Sequence, residues 1–462
     1  MEKFDVGVIG GGPGGYVAAI RAAQLGARVV LVEKDEVGGT CLLRGCIPTK
    51  AFLATADALV KASESEAFGV SVSGAKLNYD KALERKNTIV QRLVGGVHGL
   101  LKANKIEFVR GAATLLGDGW INVTLPQGQA KGECSKIIIA TGSVAMRPAI
   151  FKVDGVNVIT SDEALDLKEV PKSILIIGGG YVGCEFASMF RDFGAQVTLI
   201  ELLPQLVPSE EREVAQLLKV QLKKRGINVL TNSKIVSLDV SSGKVTAKIE
   251  SGETFEAEKA LVSVGRAVAS KGLGLEEADV DLDERGAPKV NEKMQTSIPE
   301  VYAIGDVLGT VMLAHVASAQ GMVAAANALG GSREFSYKAI PNCVYTRPEI
   351  ASVGMKESEA VEAGYEVATS KFQFTALGKA MIINDTTGFV KVVADKKTDK
   401  VLGVSMIGPE VTDLIHEMVL AVHLGATVGQ IAEMIHAHPT LSEAIHEAIE
   451  GIHKQAIHMI NR

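Results

Sequence analysis

At 462 residues the chain exceeds what one core ordinarily fills, and at roughly 150 residues per domain it is long enough for about three. Its 47% hydrophobic and 22% charged residues are those of a soluble globular protein, and a net charge of −6 argues against nucleic acid or an anionic membrane as partner. No window approaches the ~20 apolar residues of a membrane span, and residues 4–9 run straight into glycines without a secretory cleavage pattern, so the expected location is cytoplasmic.

The first thirty-three residues read as strand, turn, helix and strand. Phe4 to Ile9 is a buried-strand run, Gly10, Gly12 and Gly15 form a G-x-G-x-x-G turn, Tyr16 to Leu25 is helical, and Ala27 to Val32 is a second strand closed by Glu33. In that context the glycines serve the tight turn, close approach of a pyrophosphate and close helix–strand packing, while the acid is placed to bond ribose hydroxyls.

Next comes the stretch GGTCLLRGCIPTK, Gly38 to Lys50, with Cys41 and Cys46 five positions apart. Pro48 and the helix-forming run Ala51 to Val60 put Cys46 at or just before a helix N-terminus, where free N–H groups and the macrodipole favour a thiolate. Two cysteines so close can also be buried small hydrophobes or a static cross-link. The neighbouring nucleotide pattern and glycine-rich flanks favour a redox pair. The five cysteines, with Cys134, Cys184 and Cys343 completing the set, are too few for a secreted disulfide framework.

Lys136 to Ala140 is a strand leading to Thr141, Gly142 and Ser143. The nucleotide pattern then recurs 168 residues after the first: strand Ser173 to Ile177, turn glycines Gly178, Gly180 and Gly183, helix Glu185 to Phe193, and strand Gln196 to Ile200 ending in Glu201. A carboxylate there accepts from a 2′-hydroxyl and repels a 2′-phosphate, which predicts NAD rather than NADP; a solvated strand-end acid is the alternative. Ala260 to Val264 leads to Gly265, and Val301 to Ile304 leads to Gly305 and Asp306, before Met312, Leu313, Ala314 and His315 open a helix whose N-terminus suits an anionic reduced ring.

From about Ala339 the nucleotide motifs cease. Strands at Gly388 to Ala394 and Lys400 to Ile407 alternate with helices Val411 to Leu424 and Thr427 to Ala437, an α+β pattern. Near its end lies His436-Ala-His438-Pro439-Thr440-Leu441-Ser442-Glu443. Thr440 and Glu443 have capping-box spacing for the last helix. His436 and His438 lack the cysteine or acid cluster of a closed metal site, so no metal is expected. The third reading is an acid–base histidine oriented by Glu443, which is compatible with capping.

The cysteine stretch after GGGPGG, the second nucleotide fold, VYAIGD with MLAH, YTRPEIASVG and HAHPTLSEA together resemble the flavoprotein disulfide reductases, the class I pyridine nucleotide-disulfide reductases, along the whole chain. The dihydrolipoamide-oxidising branch is the nearest in pattern, because Glu201 and the terminal motif set the chain apart from glutathione and mercuric reductases. The resemblance implies an α/β fold with two Rossmann-like domains and a C-terminal α+β dimerisation domain, divided at 1–145 (completed by 271–338), 146–270 and 339–462. It implies one noncovalent FAD per subunit, held by Gly10, Gly12, Gly15, Glu33, Lys50, Ala113, Thr141, Gly142, Ser143, Asp306, Met312, Leu313, Ala314 and His315. NAD falls to Gly178, Gly180, Gly183, Glu201 and Gly265, with Glu185 pairing Lys50 beside the flavin. Catalysis falls to Cys41 (interchange), Cys46 (flavin side), His438 and Glu443, in a homodimer whose histidine serves the other subunit's site and whose lipoyl group comes from a partner protein. Two departures stand out. Leu43 and Arg44 replace the usual Asn-Val, so Arg44 either raises the disulfide potential or contacts a partner, and Arg266-Ala-Val-Ala-Ser follows Gly265.

Overall fold

The computed structural model describes residues 3–125 and 128–461. Strand Lys3–Ile9 buries all four of its last residues, as expected of the middle of a parallel sheet covered on both faces. Val29–Glu33 and Gly128–Ile139 flank it in parallel, Glu107–Arg110 and Val301–Ala303 extend the parallel set, and Trp120–Leu125 and Ala112–Gly117 add an antiparallel meander. Helix Pro13–Gln24 lies on this sheet with its small residues buried. Against it packs Ala314–Ala328, a helix from far later in the sequence, and the approach is close enough that a Cβ on Gly321 would stand 2.6 Å from the Gly14 carbonyl oxygen.

The recurrence read from the sequence is a recurrence in space. Ser173–Ile177 is central to a second parallel sheet with Gln196–Ile200, Asn228–Leu230, Lys259–Val262 and Val158–Ile159, and helix Tyr181–Asp192 follows its glycine turn. An antiparallel three-stranded sheet over residues 235–257 packs on it. Arg266–Val268 pairs with Ser143–Ala145 as a two-stranded ribbon where the chain passes between the two nucleotide folds.

The last unit is an antiparallel sheet ordered Asn342–Val344, Glu349–Gly354, Val401–Gly408, Phe389–Asp395, Val367–Gln373. Helices Val411–Leu424 and Glu443–Glu450 cover it, and their apolar stripes close a core with Phe372, Phe374 and Met406. The helix expected over Thr427 to Ala437 is only Val428–Ala432. Its Thr427 cap is satisfied by Gln430, but from Met434 onward the chain leaves helical geometry and exposes Ile435 almost completely. A helical continuation would rotate His436 and His438 off the carboxylates that hold them.

Helix Cys46–Ser63 is the joint between units. Six residues past Cys46, Phe52 is 1% exposed, stacks on Tyr79 at 5.8 Å and meets Phe193 edge-on at 6.0 Å. Phe193 caps the helix of the second nucleotide fold, so this aromatic cluster fixes the cysteine helix against that fold. Phe52→Ala is therefore expected to cost about 3–5 kcal/mol of stability. It should lower the apparent melting temperature by several degrees in differential scanning fluorimetry, whereas an unchanged transition would mean that the cluster is not structural.

Candidate active site

Gly38 and Gly39 turn the chain with φ of 103° and 55°, and a Cβ on Gly39 would stand 2.7 Å from Gly12 Cα. The cysteine segment is thus laid directly on the first nucleotide turn. A short helix, Gly39–Arg44, carries Cys41; Gly45 breaks it, and Cys46 is the first residue of Cys46–Ser63. Both cysteines are partly buried, and no disulfide joins them in this structure.

The two sulfurs share a hydrogen bond and divide its consequence. The Cys41 thiol donates to Cys46, which, with the Lys50 ammonium, lowers the Cys46 thiol to about 7 against opposing burial and the Glu185 carboxylate. Cys41 moves the other way, far above a free thiol, because that bond keeps its proton in place and burial adds to the effect. Cys46 is accordingly the sulfur that gives up its proton more readily, and Cys41 the one that keeps it.

Lys50, one turn along the helix, meets both oxygens of Glu185 at 2.9 Å. Glu185 comes from the helix of the second nucleotide fold and its side chain is only 7% exposed. Tyr345, from the third unit, closes the arrangement: its backbone N–H donates to Glu185 Oε1 at 3.0 Å, and its ring centroid is 4.6 Å from the Lys50 ammonium. All three units therefore converge beside the dithiol. The Lys50–Glu185 pair was expected from the sequence, but Tyr345 was not assigned a role, although it stands in the YTRPEIASVG motif.

The nucleotide turns repeat each other closely. Gly10 and Gly178 have φ of 104° and 106°, and a Cβ on Gly15 or Gly183 would lie 1.8 or 1.9 Å from the carbonyl oxygen of Gly10 or Gly178. By contrast, a Cβ on Gly180 would meet nothing within 4 Å, and one on Gly12 only Gly39 Cα at 3.9 Å. The middle glycines are thus not demanded by the protein's own packing, and they leave room for a pyrophosphate against bare backbone. Glu33 Oε2 accepts from the Gly11 N–H at 2.7 Å and Oε1 from the Asp35 N–H at 2.9 Å. Glu201 repeats this with the N–H groups of Gly179 and, at 2.7 Å, Leu203. Both acids brace their glycine loops, with lone pairs remaining for ribose hydroxyls. Burial pushes the Glu33 carboxyl up, against the Gly11 hydrogen bond.

Other expected cofactor residues cluster around the ribbon. Thr141 Oγ1 is buried without a hydrogen-bond partner, Gly142 has φ of 74°, and Ser143 Oγ donates to Asp306 at 2.6 Å while accepting from Arg266 Nε at 2.7 Å. The orphaned hydroxyl and the open second-glycine position fit a dinucleotide. Met312 and Leu313 lead into Ala314–Ala328, with Leu313 as N-cap, and His315 Nε2 bonds the Pro341 carbonyl oxygen at 3.0 Å; burial holds this imidazole below its usual range. Gly265, with φ of 122°, receives the Met146 N–H on its carbonyl oxygen at 3.0 Å. Ala113 is a buried core residue of strand Ala112–Gly117. Arg266 organises this corner and was noted in the sequence only as a departure. Arg44 pairs with Asp35.

Among the described residues no hydrogen bond joins His438 to Cys41 or Cys46 of its own chain. Its Nδ1 meets Glu443 Oε1 at 2.8 Å, with the ring 78% exposed. Slight burial of Glu443 acts against ionisation, but hydrogen bonds from the Thr440 N–H and His438 hold its carboxyl below the usual carboxylate range. The capping box is only half formed. Glu443 Oε2 takes the Thr440 N–H at 2.9 Å, yet the helix starts at Glu443 with Ser442 as N-cap, and the Thr440 hydroxyl donates to Ala437 O instead.

A dithiol set between two nucleotide turns defines a disulfide oxidoreductase using two dinucleotides, and the chain belongs to the pyridine nucleotide-disulphide oxidoreductase family, whose model matches residues 4–321 and whose dimerisation domain matches 340–449. The chain is 44% identical to a dihydrolipoyl dehydrogenase of Bacillus subtilis over 99% of both sequences, and 46% identical to one of Thermus scotoductus over 100% of both. Among solved structures it is similar to LpdA from Mycobacterium tuberculosis, with a TM-score of 0.91 at 26% identity over 97% of this chain and 99% of that one. It is also similar to a Cu(II) complex of the HOCl-induced flavoprotein disulfide reductase RclA from Escherichia coli, with a TM-score of 0.88 at 28% identity over the same shares. The protein is thus a flavoprotein disulfide oxidoreductase using FAD and NAD, with a C-terminal dimerisation domain that makes it a homodimer. No helix among the described residues is long and apolar enough to cross a membrane.

Removing the Lys50 cation takes away thiolate stabilisation, and removing the Glu185 anion adds it. In the dithiol-reduced protein, the pH midpoint for iodoacetamide alkylation of Cys46 should lie near 7 in the parent. It should rise by about one unit in Lys50→Met and fall in Glu185→Gln. A midpoint that ignores both changes contradicts the assignment of the low-pKa sulfur.

Proposed function

We propose that the chain oxidises protein-bound dihydrolipoamide to lipoamide with reduction of NAD to NADH, the reaction of a dihydrolipoyl dehydrogenase. The observation that carries this reading is the Cys41–Cys46 dithiol beside the Lys50–Glu185 ion pair, set between two nucleotide turns, the second braced by a carboxylate. The full-length similarity to dihydrolipoyl dehydrogenases supports it. Residues 1–145 with 271–338 form the FAD unit, 146–270 the NAD unit and 339–462 the interface unit.

His438 of one subunit serves the cysteine pair of the other. Glu443 takes the Nδ1 proton of His438 as a hydrogen bond, which leaves Nε2 as the base toward substrate. That base removes a proton from one thiol of dihydrolipoamide. The thiolate attacks the Cys41 sulfur of the oxidised pair, forming a substrate–Cys41 disulfide and breaking the Cys41–Cys46 bond. Cys46 departs as a thiolate, a good leaving group because its pKa is low. The second substrate thiol then attacks the substrate sulfur of the mixed disulfide, which closes lipoamide and returns Cys41 as the thiol. Two electrons have passed to the cysteine pair. Bound FAD supplies the two-electron relay from there to NAD, yielding NADH and one proton. Gly10, Gly12, Gly15, Glu33, Thr141–Ser143 and Asp306 hold the flavin nucleotide, and Gly178, Gly180, Gly183, Glu201 and Gly265 hold NAD. The lipoyl group belongs to a partner protein of a 2-oxoacid dehydrogenase, acetoin dehydrogenase or glycine-cleavage system in the cytoplasm.

Steady-state turnover of lipoamide should be rapid with NADH and at least about a hundredfold slower with NADPH, because the Glu201 carboxylate opposes a 2′-phosphate. Oxidised glutathione should not substitute for lipoamide. Cys46→Ser should keep flavin and lose lipoamide turnover, and His438→Gln should lower it by about 10²- to 10⁴-fold. Preference for NADPH with glutathione would overturn the substrate assignment and leave the fold intact.

A further inference from the structure

Residues 433–442 carry His438 but form no regular element beyond the helix end. Met434 N still reaches Ile431 O, and Thr440 N reaches Glu443; between them, among the described residues, no backbone N–H makes a hydrogen bond to the rest of the chain. Side chains must therefore hold this stretch. Ile435 points out at 99% exposure, and the His438 side chain is 78% exposed. His436, between them, turns inward with its side chain only 7% exposed.

His436 Nε2 bonds Glu417 Oε1 at 3.0 Å, on helix Val411–Leu424. Its ring lies 5.2 Å from that of His446, on helix Glu443–Glu450, and His446 in turn faces Glu450 at 4.0 Å. The Nδ1 atoms of both His436 and His446 are buried and without partners, so Nε2–H to Glu417 is the directional bond of the His436 ring. His436 therefore spans two helices, one of which begins with Glu443, the residue that orients His438.

We infer that His436 is a positioning residue for His438: by clamping the non-helical stretch to Glu417 and His446, it sets the height and direction at which His438 and Glu443 meet the substrate dithiol. This rests on the proposed role of His438 as acid–base group. A geometric error of about 1 Å at such a group costs up to about a hundredfold in rate without any change in substrate contacts.

The test compares His436→Leu, His436→Gln and Glu417→Leu with the parent holoenzyme, using dihydrolipoamide with NAD and, separately, NADH with ferricyanide, which bypasses His438. His436→Leu and Glu417→Leu should each lower kcat for dihydrolipoamide about 10- to 100-fold with KM little changed. Both should keep flavin content and ferricyanide turnover near the parent's. His436→Gln, whose amide can still donate to Glu417, should recover most of the loss, and the two leucine changes combined should cost no more than either alone. Should His436→Leu fail to fold, Glu417, whose side chain is more exposed than that of His436, leaves Glu417→Leu as the working variant. Parent-like dihydrolipoamide turnover in the leucine variants, or ferricyanide turnover falling in parallel, overturns the inference while leaving the role of His438 standing. Parent-like turnover in His438→Gln overturns both.

Discussion

The contact on which the rest depends is the Lys50–Glu185 ion pair, 2.9 Å to either oxygen and largely withdrawn from solvent on the glutamate side. A buried carboxylate without its partner would be costly, so the helix bearing the cysteines and the helix bearing the second nucleotide turn are obliged to meet at this point. Tyr345 completes the neutralisation from the third unit through one N–H and one aromatic face. Three separately wound pieces of chain are thereby aligned on a single charge pair, and Cys46 sits one helical turn away from it. The same cation that satisfies Glu185 lowers the Cys46 thiol, so the structural constraint and the redox chemistry share one residue.

Around this point the two nucleotide folds act as rigid platforms. Each spends its first and third glycines on its own turn and leaves the second open toward a ligand. Each also ties its glycine loop to the acid ending the next strand through the chain's own hydrogen bonds. In the dimerisation domain, His438 stands on a stretch held by side chains rather than by a backbone ladder.

Much of this was legible in the sequence because glycine turns are strict. A G-x-G-x-x-G between strand and helix has one backbone solution, and Ser173–Ile177 and Gln196–Ile200 occur where the hydrophobic runs put them. The start of the cysteine helix at Cys46 was equally readable from Pro48 and the run behind it. What escaped was set by tertiary contact. Tyr345 acts through its backbone N–H on Glu185 and its ring face on Lys50, two contacts that only the tertiary fold brings together. The helix expected through Ala437 stops at Ala432 because His436 and His438 bond carboxylates that a helical path would not reach. Thr440 has cap spacing, but its hydroxyl is taken by Ala437 O. Arg44, for which the sequence left two roles open, pairs with Asp35.

In the proposed relay the cysteine pair and the flavin are two redox centres in electronic contact within each subunit. Anaerobic titration of the oxidised holoenzyme with dithionite, followed by flavin absorbance and by thiol counting, tests this most directly. Two centres that each take two electrons predict uptake of about four electrons per subunit, with two new thiols appearing as the first pair enters. Uptake of two electrons with no new thiols would show that Cys41 and Cys46 stand outside the relay.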